Sequence, residues 1–158
     1  MKLWMALYAM IWISFLEFLF VMTPTPDDTL LVALHIVVGV VILGLAYYNF
    51  DQLRKTRVPG RVKRTAKATF SLAIVMAILG ILIYARIGSD WIIPVLNLSI
   101  LGILLFLHVV NAFAIITQAA ATAIAFDMWE EKEFAQETEP VVVPAPPAPK
   151  TPAALPKP

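Results

Sequence analysis

The chain has 158 residues, of which 60% are hydrophobic and 15% are charged; its net charge at pH 7 is +1 and its mean hydropathy is +0.82. Ordinary soluble domains have a far smaller apolar share, so this composition excludes a soluble globular protein and indicates a membrane protein. The chain has no cysteine, which excludes disulfides, thiolate metal sites and haem attached through thioether bonds.

Four apolar stretches are each long enough to cross a hydrocarbon core of about 30 Å, which takes roughly 20 helical residues. They cover residues 4–22, 29–50, 68–87 and the longer 91–126. The first stretch carries Glu17 and lacks a small-residue cleavage site, so we interpret it as a span rather than a secretory signal. The sequence therefore predicts an all-α, multi-pass protein, an up-down bundle of four transmembrane helices with a long fourth helix.

Prolines and glycines between the spans predict where helices begin. Thr25 can cap a helix that starts close to Pro26, with two aspartates in its first turn. Pro59 and Gly60 end a basic turn, and the third helix is predicted to begin just after them. Pro94 is compatible with the fourth helix only if that helix starts nearby.

The segment between the second and third spans is strongly basic. Residues 51–67 contain Asp51 and the cations Arg54, Lys55, Arg57, Arg61, Lys63, Arg64 and Lys67. Because short cytoplasmic loops are enriched in Lys and Arg, this bias predicts a plasma-membrane protein with both termini in the cytoplasm. We interpret the cluster as a contact with anionic lipids rather than with nucleic acid.

The C-terminal region changes in composition. Residues 127–133 extend the last helix into water with an acidic end, and from Pro140 onward the chain is mostly Pro, Ala and Val. We predict a four-helix transmembrane domain over residues 1–135 and a disordered, polyproline-like cytoplasmic tail over 136–158. Such a tail could hold a cytoplasmic partner.

Three ionisable residues lie inside the predicted spans, where burial is costly and usually functional: Glu17, His35 and His108, with Asn111 beside the last. Helix rise places Glu17 and His35 at similar depths of roughly 8 and 10 Å. The depth of His108 stays open between about 5 and 26 Å, because the fourth stretch is longer than one span. The two histidines can therefore face each other, but the sequence does not demand it.

Two facing imidazoles could ligate a haem iron if small side chains let a flat porphyrin approach. Gly39 shares the helical face of His35, and Gly80 lies in a stripe of small residues on the third span. Arg86 stands at the outer end of that span, where a propionate could emerge. Two alternatives stay open: a Glu17–His35 pair that is structural or handles protons, and another ligand such as quinone, a chlorophyll-type pigment or copper.

Four helices, of which two carry His35 and His108, resemble the small cytochrome b membrane subunits, such as b561-type proteins and succinate dehydrogenase anchors. The resemblance covers the four spans and is one of architecture. It implies that the two histidines are axial ligands of haem b, that Arg86 contacts a propionate, and that Glu17 orients His35 or accepts a proton from quinol. The b561 pattern usually offers four histidines for two haems, whereas this chain has two.

These features predict a membrane electron-transfer subunit of a larger redox complex, with one b-type haem and more a carrier than an enzyme by itself. No hydrolytic triad, phosphate loop or zinc spacing is present. The alternative is a non-catalytic accessory subunit that packs on other membrane subunits and holds a cytoplasmic partner with its tail. A transporter or channel is less favoured, because the sequence has no repeat and no central helix break.

Overall fold

The computed structural model describes residues 2–21, 29–95 and 97–138 as four helices and one small hairpin. The helices are α1 (Leu3–Val21), α2 (Thr29–Lys55), α3 (Gly60–Tyr84) and α4 (Ile100–Thr138). Between α3 and α4, strand β1 (Ile92–Ile93) pairs antiparallel with β2 (Leu98–Ser99). The predicted helix start near Pro26 and the predicted tail beyond residue 138 lie outside the described residues.

Three helices, α2, α3 and α4, are long and apolar enough to cross a membrane. Helix α1 is also apolar, and its 19 residues give a length of about 28 Å at 1.5 Å per residue. The prediction of an all-α membrane protein is therefore confirmed at this level. The fourth helix is long as predicted, with 39 residues.

Each helix packs against its neighbours along the chain, and α4 returns to pack against α1. Short connections favour this arrangement, because they place consecutive helices side by side. In cross-section the order α1, α2, α3, α4 runs around a square. Helices α2 and α4, which carry the two histidines, therefore occupy opposite corners.

The predicted start of the fourth span near residue 91 is wrong. Helix α4 begins at Ile100, whose backbone N–H donates to the Trp91 carbonyl (2.9 Å) across the base of the hairpin. Pro94 lies in the hairpin turn, and Asn97 adopts a left-handed conformation (φ 50°) that no helix continues through. The chain therefore turns back on itself before α4 starts.

The third span also ends earlier than predicted, at Tyr84 instead of residue 87. Arg86 (φ 53°) and Gly88 (φ 76°) are left-handed, so the helix cannot extend through them. A Cβ atom at Gly88 would lie 2.6 Å from the Ile100 Cβ atom. Glycine is thus required here, both for its conformation and for the close approach of α4.

The Lys63 side chain stabilises the basic turn between α2 and α3. Helix α3 begins at Gly60, slightly before the predicted start just after Pro59 and Gly60, while α2 continues past residue 50 to Lys55. The Lys63 ammonium donates to the carbonyls of Arg54 (3.2 Å) and Thr56 (2.7 Å), which the end of α2 leaves without partners.

Buried apolar side chains define two unlike halves of the bundle. We name the basic-turn half as residues 2–14, 46–73 and 111–134, and the hairpin half as residues 15–21, 29–45, 74–95 and 97–110. Every buried apolar side chain of the described residues lies in the basic-turn half, where all four helices contribute. The two clusters are Leu7, Leu53, Val58, Val62, Ala66, Ala123 and Phe126, and Met10, Ala46, Ala73, Ile115 and Ala119.

Candidate functional site

Glu17 of α1 is the single buried side chain among those described in the hairpin half, with 8% of its surface exposed. Its Oε1 atom contacts Nδ1 of His35 on α2. This contact joins α1 to α2. A carboxyl group buried beside one imidazole nitrogen orients the ring and favours a proton on that nitrogen.

The ring of His35 faces the ring of His108 across the bundle. Their centroids are 6.0 Å apart and their planes are inclined by 55°. His108 therefore lies beside His35 in the bundle. Two imidazoles that ligate one metal ion from opposite sides, at metal–nitrogen distances of about 2 Å, have centroids about 6 Å apart.

Gly80 of α3 borders this pair. A Cβ atom at Gly80 would lie 3.6 Å from the Cε1 atom of His108, so the imidazole rests against the α3 backbone. With Glu17 and His35, all four helices thus contribute to one layer. Gly39 does not join it, because Gly39 is exposed and nothing lies within 4 Å of the position of its Cβ atom.

Buried polar atoms without a hydrogen-bond partner concentrate in this layer. Among the described residues six such side-chain atoms occur, of which Glu17 Oε1 and His35 Nδ1 contact each other. The other four are Glu17 Oε2 and His108 Nδ1 in this layer, Ser14 Oγ one helical turn away, and the Asn49 oxygen deeper in the basic-turn half. Buried polar groups are nearly always satisfied, so a cluster of unsatisfied ones indicates a site that accepts a ligand or water.

Ser14 was not predicted. It precedes Glu17 by three residues on α1, so both side chains face the bundle interior one turn apart. Its exposed fraction is 7%, and its hydroxyl has no hydrogen-bond partner within the part of the chain described. The sequence feature that could have identified Ser14 is its spacing of three residues from Glu17.

Asn111 lies one turn from His108 and is buried. Its amide nitrogen donates to the carbonyl of Leu72 on α3 (2.9 Å). This bond fastens α4 to α3 beside the histidine layer. Asn111 therefore fixes the position of α4, and its donor is not turned toward Glu17 or the imidazoles.

Arg86 lies outside this layer. It is exposed in the turn that follows α3, two residues beyond the end of that helix at Tyr84. Among the described residues it has no ion-pair partner. The structure brings together Glu17, His35, Gly80 and His108, and it leaves Arg86 and Gly39 apart from them.

The donor set limits what the site could hold. Within the described ranges no group of three or more His, Cys, Asp or Glu side chains could hold a metal ion. Two imidazoles suit an ion whose remaining positions are filled by a macrocycle, since a protein site for a bare ion such as Zn²⁺ needs three or four protein ligands.

Comparisons with protein-family models, with curated proteins and with solved structures find no match to this chain.

Proposed function

We propose that the protein is a membrane electron-transfer subunit that binds one b-type haem between His35 and His108 and works within a larger redox complex. The observation that carries the proposal is the pair of facing rings, 6.0 Å apart, on opposite corners of the bundle. This separation is close to that of two axial imidazoles on one iron.

The surroundings of the two rings fit a flat group. No apolar side chain is fully buried among the described residues of the hairpin half, so packing there is less tight than in the basic-turn half. Gly80 offers backbone instead of a side chain beside His108. When bound, the haem would supply one-electron redox chemistry, with its potential set by the axial ligands and by the polarity of the pocket.

The chain's own residues would hold and orient that group. Glu17 keeps Nδ1 of His35 engaged, which leaves Nε2 as the nitrogen that can ligate. Asn111 holds α4 against α3 and so sets the height of His108. A quinone would serve as the electron donor.

The proposal includes four spans, with α1 as the first, in the plasma membrane with both termini in the cytoplasm. The charge of the basic turn supports that orientation. Large exposed apolar side chains, such as Trp12 (67%), Val40 (64%) and Phe106 (67%), support contact with lipid or with other membrane subunits.

The test is an absorption spectrum and a pyridine haemochrome assay on the purified protein in detergent. We expect a b-type spectrum, which His35→Ala and His108→Ala each abolish because one axial ligand is lost. Val109→Ala, next to His108 and partly exposed, is the matched control and should keep the spectrum. A purified protein without a Soret band, or a His35→Ala variant with full haem content, would contradict the proposal.

A second candidate is a non-catalytic accessory subunit, and the length of α4 favours it. Its 39 residues measure about 58 Å, whereas a hydrocarbon core is about 30 Å thick. The excess carries Glu130, Glu131 and Glu133 into water as a surface for a cytoplasmic partner. A chain in which Glu130, Glu131 and Glu133 are all replaced by Gln should lose that partner in co-purification while it keeps its helix content.

A further inference from the structure

A groove of about 300 Å³ lies at the end of the basic-turn half. It is formed by the turn after α2 and by the part of α4 that extends beyond the other helices. Its lining residues are Arg57, Trp129, Glu130, Glu133 and Phe134. Trp129 packs against the apolar cluster of this half, whereas 61% of the Phe134 surface is exposed. The groove therefore has a fixed aromatic wall and an exposed one.

The lining defines the chemistry of an occupant. Two aromatic rings form the type of surface on which proline-rich segments in the polyproline II conformation dock. Glu130 and Glu133 outweigh Arg57, so the groove has a net negative charge. An occupant rich in proline and carrying a lysine would satisfy both features.

The chain itself contains such a segment directly after α4. Residues 140–150 read PVVVPAPPAPK, and residues 140–158 contain Lys150 and Lys157 but no acidic residue. We propose that residues 140–150 of the same chain bind this groove, with prolines on Trp129 and Phe134 and with Lys150 beside the glutamates.

The geometry allows the segment to fold back. From Thr138 to Trp129 the helix axis covers about 14 Å, whereas ten residues of polyproline II reach about 31 Å. A short tether gives an effective concentration in the millimolar range, so weak contacts suffice to keep the groove covered. A separate cytoplasmic protein would then have to displace the segment first. This inference is independent of haem binding.

The test is photocross-linking in the full-length chain with p-benzoylphenylalanine at position 148, followed by mass spectrometry of the monomer band. We expect cross-links to residues 129–134 within one chain, and a yield about fivefold lower in Trp129→Ala. Phe134→Ala should lower the yield as well, and its exposed side chain can be removed without opening the core. Trp91→Ala, an exposed tryptophan on the hairpin side, is the matched control.

Each result bears on the inference. Cross-links that join two chains would overturn it in favour of a second copy as the source of the segment. Cross-links spread over the protein surface, or a yield that neither Trp129→Ala nor Phe134→Ala changes, would show that residues 140–150 do not occupy the groove. Both results leave the haem assay unaffected, so the two proposals fail separately.

Discussion

In the basic-turn half all four helices bury apolar side chains in two clusters, whereas in the hairpin half the single buried side chain among those described is the carboxyl-bearing Glu17. Alanines occupy many of the buried positions, among them Ala46, Ala73, Ala119 and Ala123. Small residues let membrane helices approach closely, and that packing is the main source of their association. The fully buried apolar packing thus lies in the basic-turn half, whereas the apolar side chains of the hairpin half are at most partly buried.

The largest expected effect tests which half provides stability. Leu53 is fully buried in the basic-turn half, so Leu53→Ala should lower the free energy of unfolding by about 2–5 kcal/mol. Val40 in the hairpin half is 64% exposed, and Val40→Ala should change the free energy of unfolding by less than ~0.5 kcal/mol. Equilibrium unfolding in detergent micelles measures both. Equal losses would mean that the two halves do not differ in packing.

The next largest effect is expected at the contact of Glu17 with His35 in the hairpin half. Glu17→Gln keeps the shape of the side chain but replaces the carboxyl group that contacts His35, so haem affinity should fall about 10–100-fold. A haem titration of the purified apoprotein followed in the Soret region measures this loss. Glu133→Gln, an acidic residue at the far end of α4, is the control. Unchanged affinity in Glu17→Gln would mean that Glu17 does not orient His35 for haem binding.

A smaller effect is expected at the turn that closes the hairpin half. Gly88→Ala places a Cβ atom against Ile100 in a left-handed conformation, which should cost more than about 1 kcal/mol of stability. Gly44→Ala in α2 has open space and helical geometry, so it should be neutral or stabilising by up to about 1 kcal/mol. The same unfolding measurement compares them. A tolerated Gly88→Ala would mean that the turn adapts without cost.

The smallest effect should come from the bond between α4 and α3 at the border of the two halves. Asn111→Leu removes the donor to the Leu72 carbonyl, and such interhelical bonds contribute about 0.6 kcal/mol on average in membranes. Thr117→Val, an exposed polar position on the same helix, serves as the control. If Asn111→Leu lowers the free energy of unfolding by several times this amount, Asn111 does more than hold α4 against α3.

The helices themselves could be predicted from the sequence, because long apolar runs separated by Pro59 and Gly60 leave few alternatives. The hairpin could not, since residues 91–99 continue the apolar run of α4 and hydropathy alone does not separate strand from helix. The partnership of His35 and His108 also needed the structure. It depends on the rotation of α4 and on its position along the bundle axis. Because the 39-residue helix is longer than one membrane span, its length does not determine that position.

The corner-to-corner placement of His35 and His108 has a consequence for biogenesis. Helix α4 emerges last from the ribosome, so a group that needs both imidazoles can be captured only after all four helices have been synthesised and inserted. Loading would be a late step of assembly, and a nascent chain arrested before α4 would have no means of retaining the group.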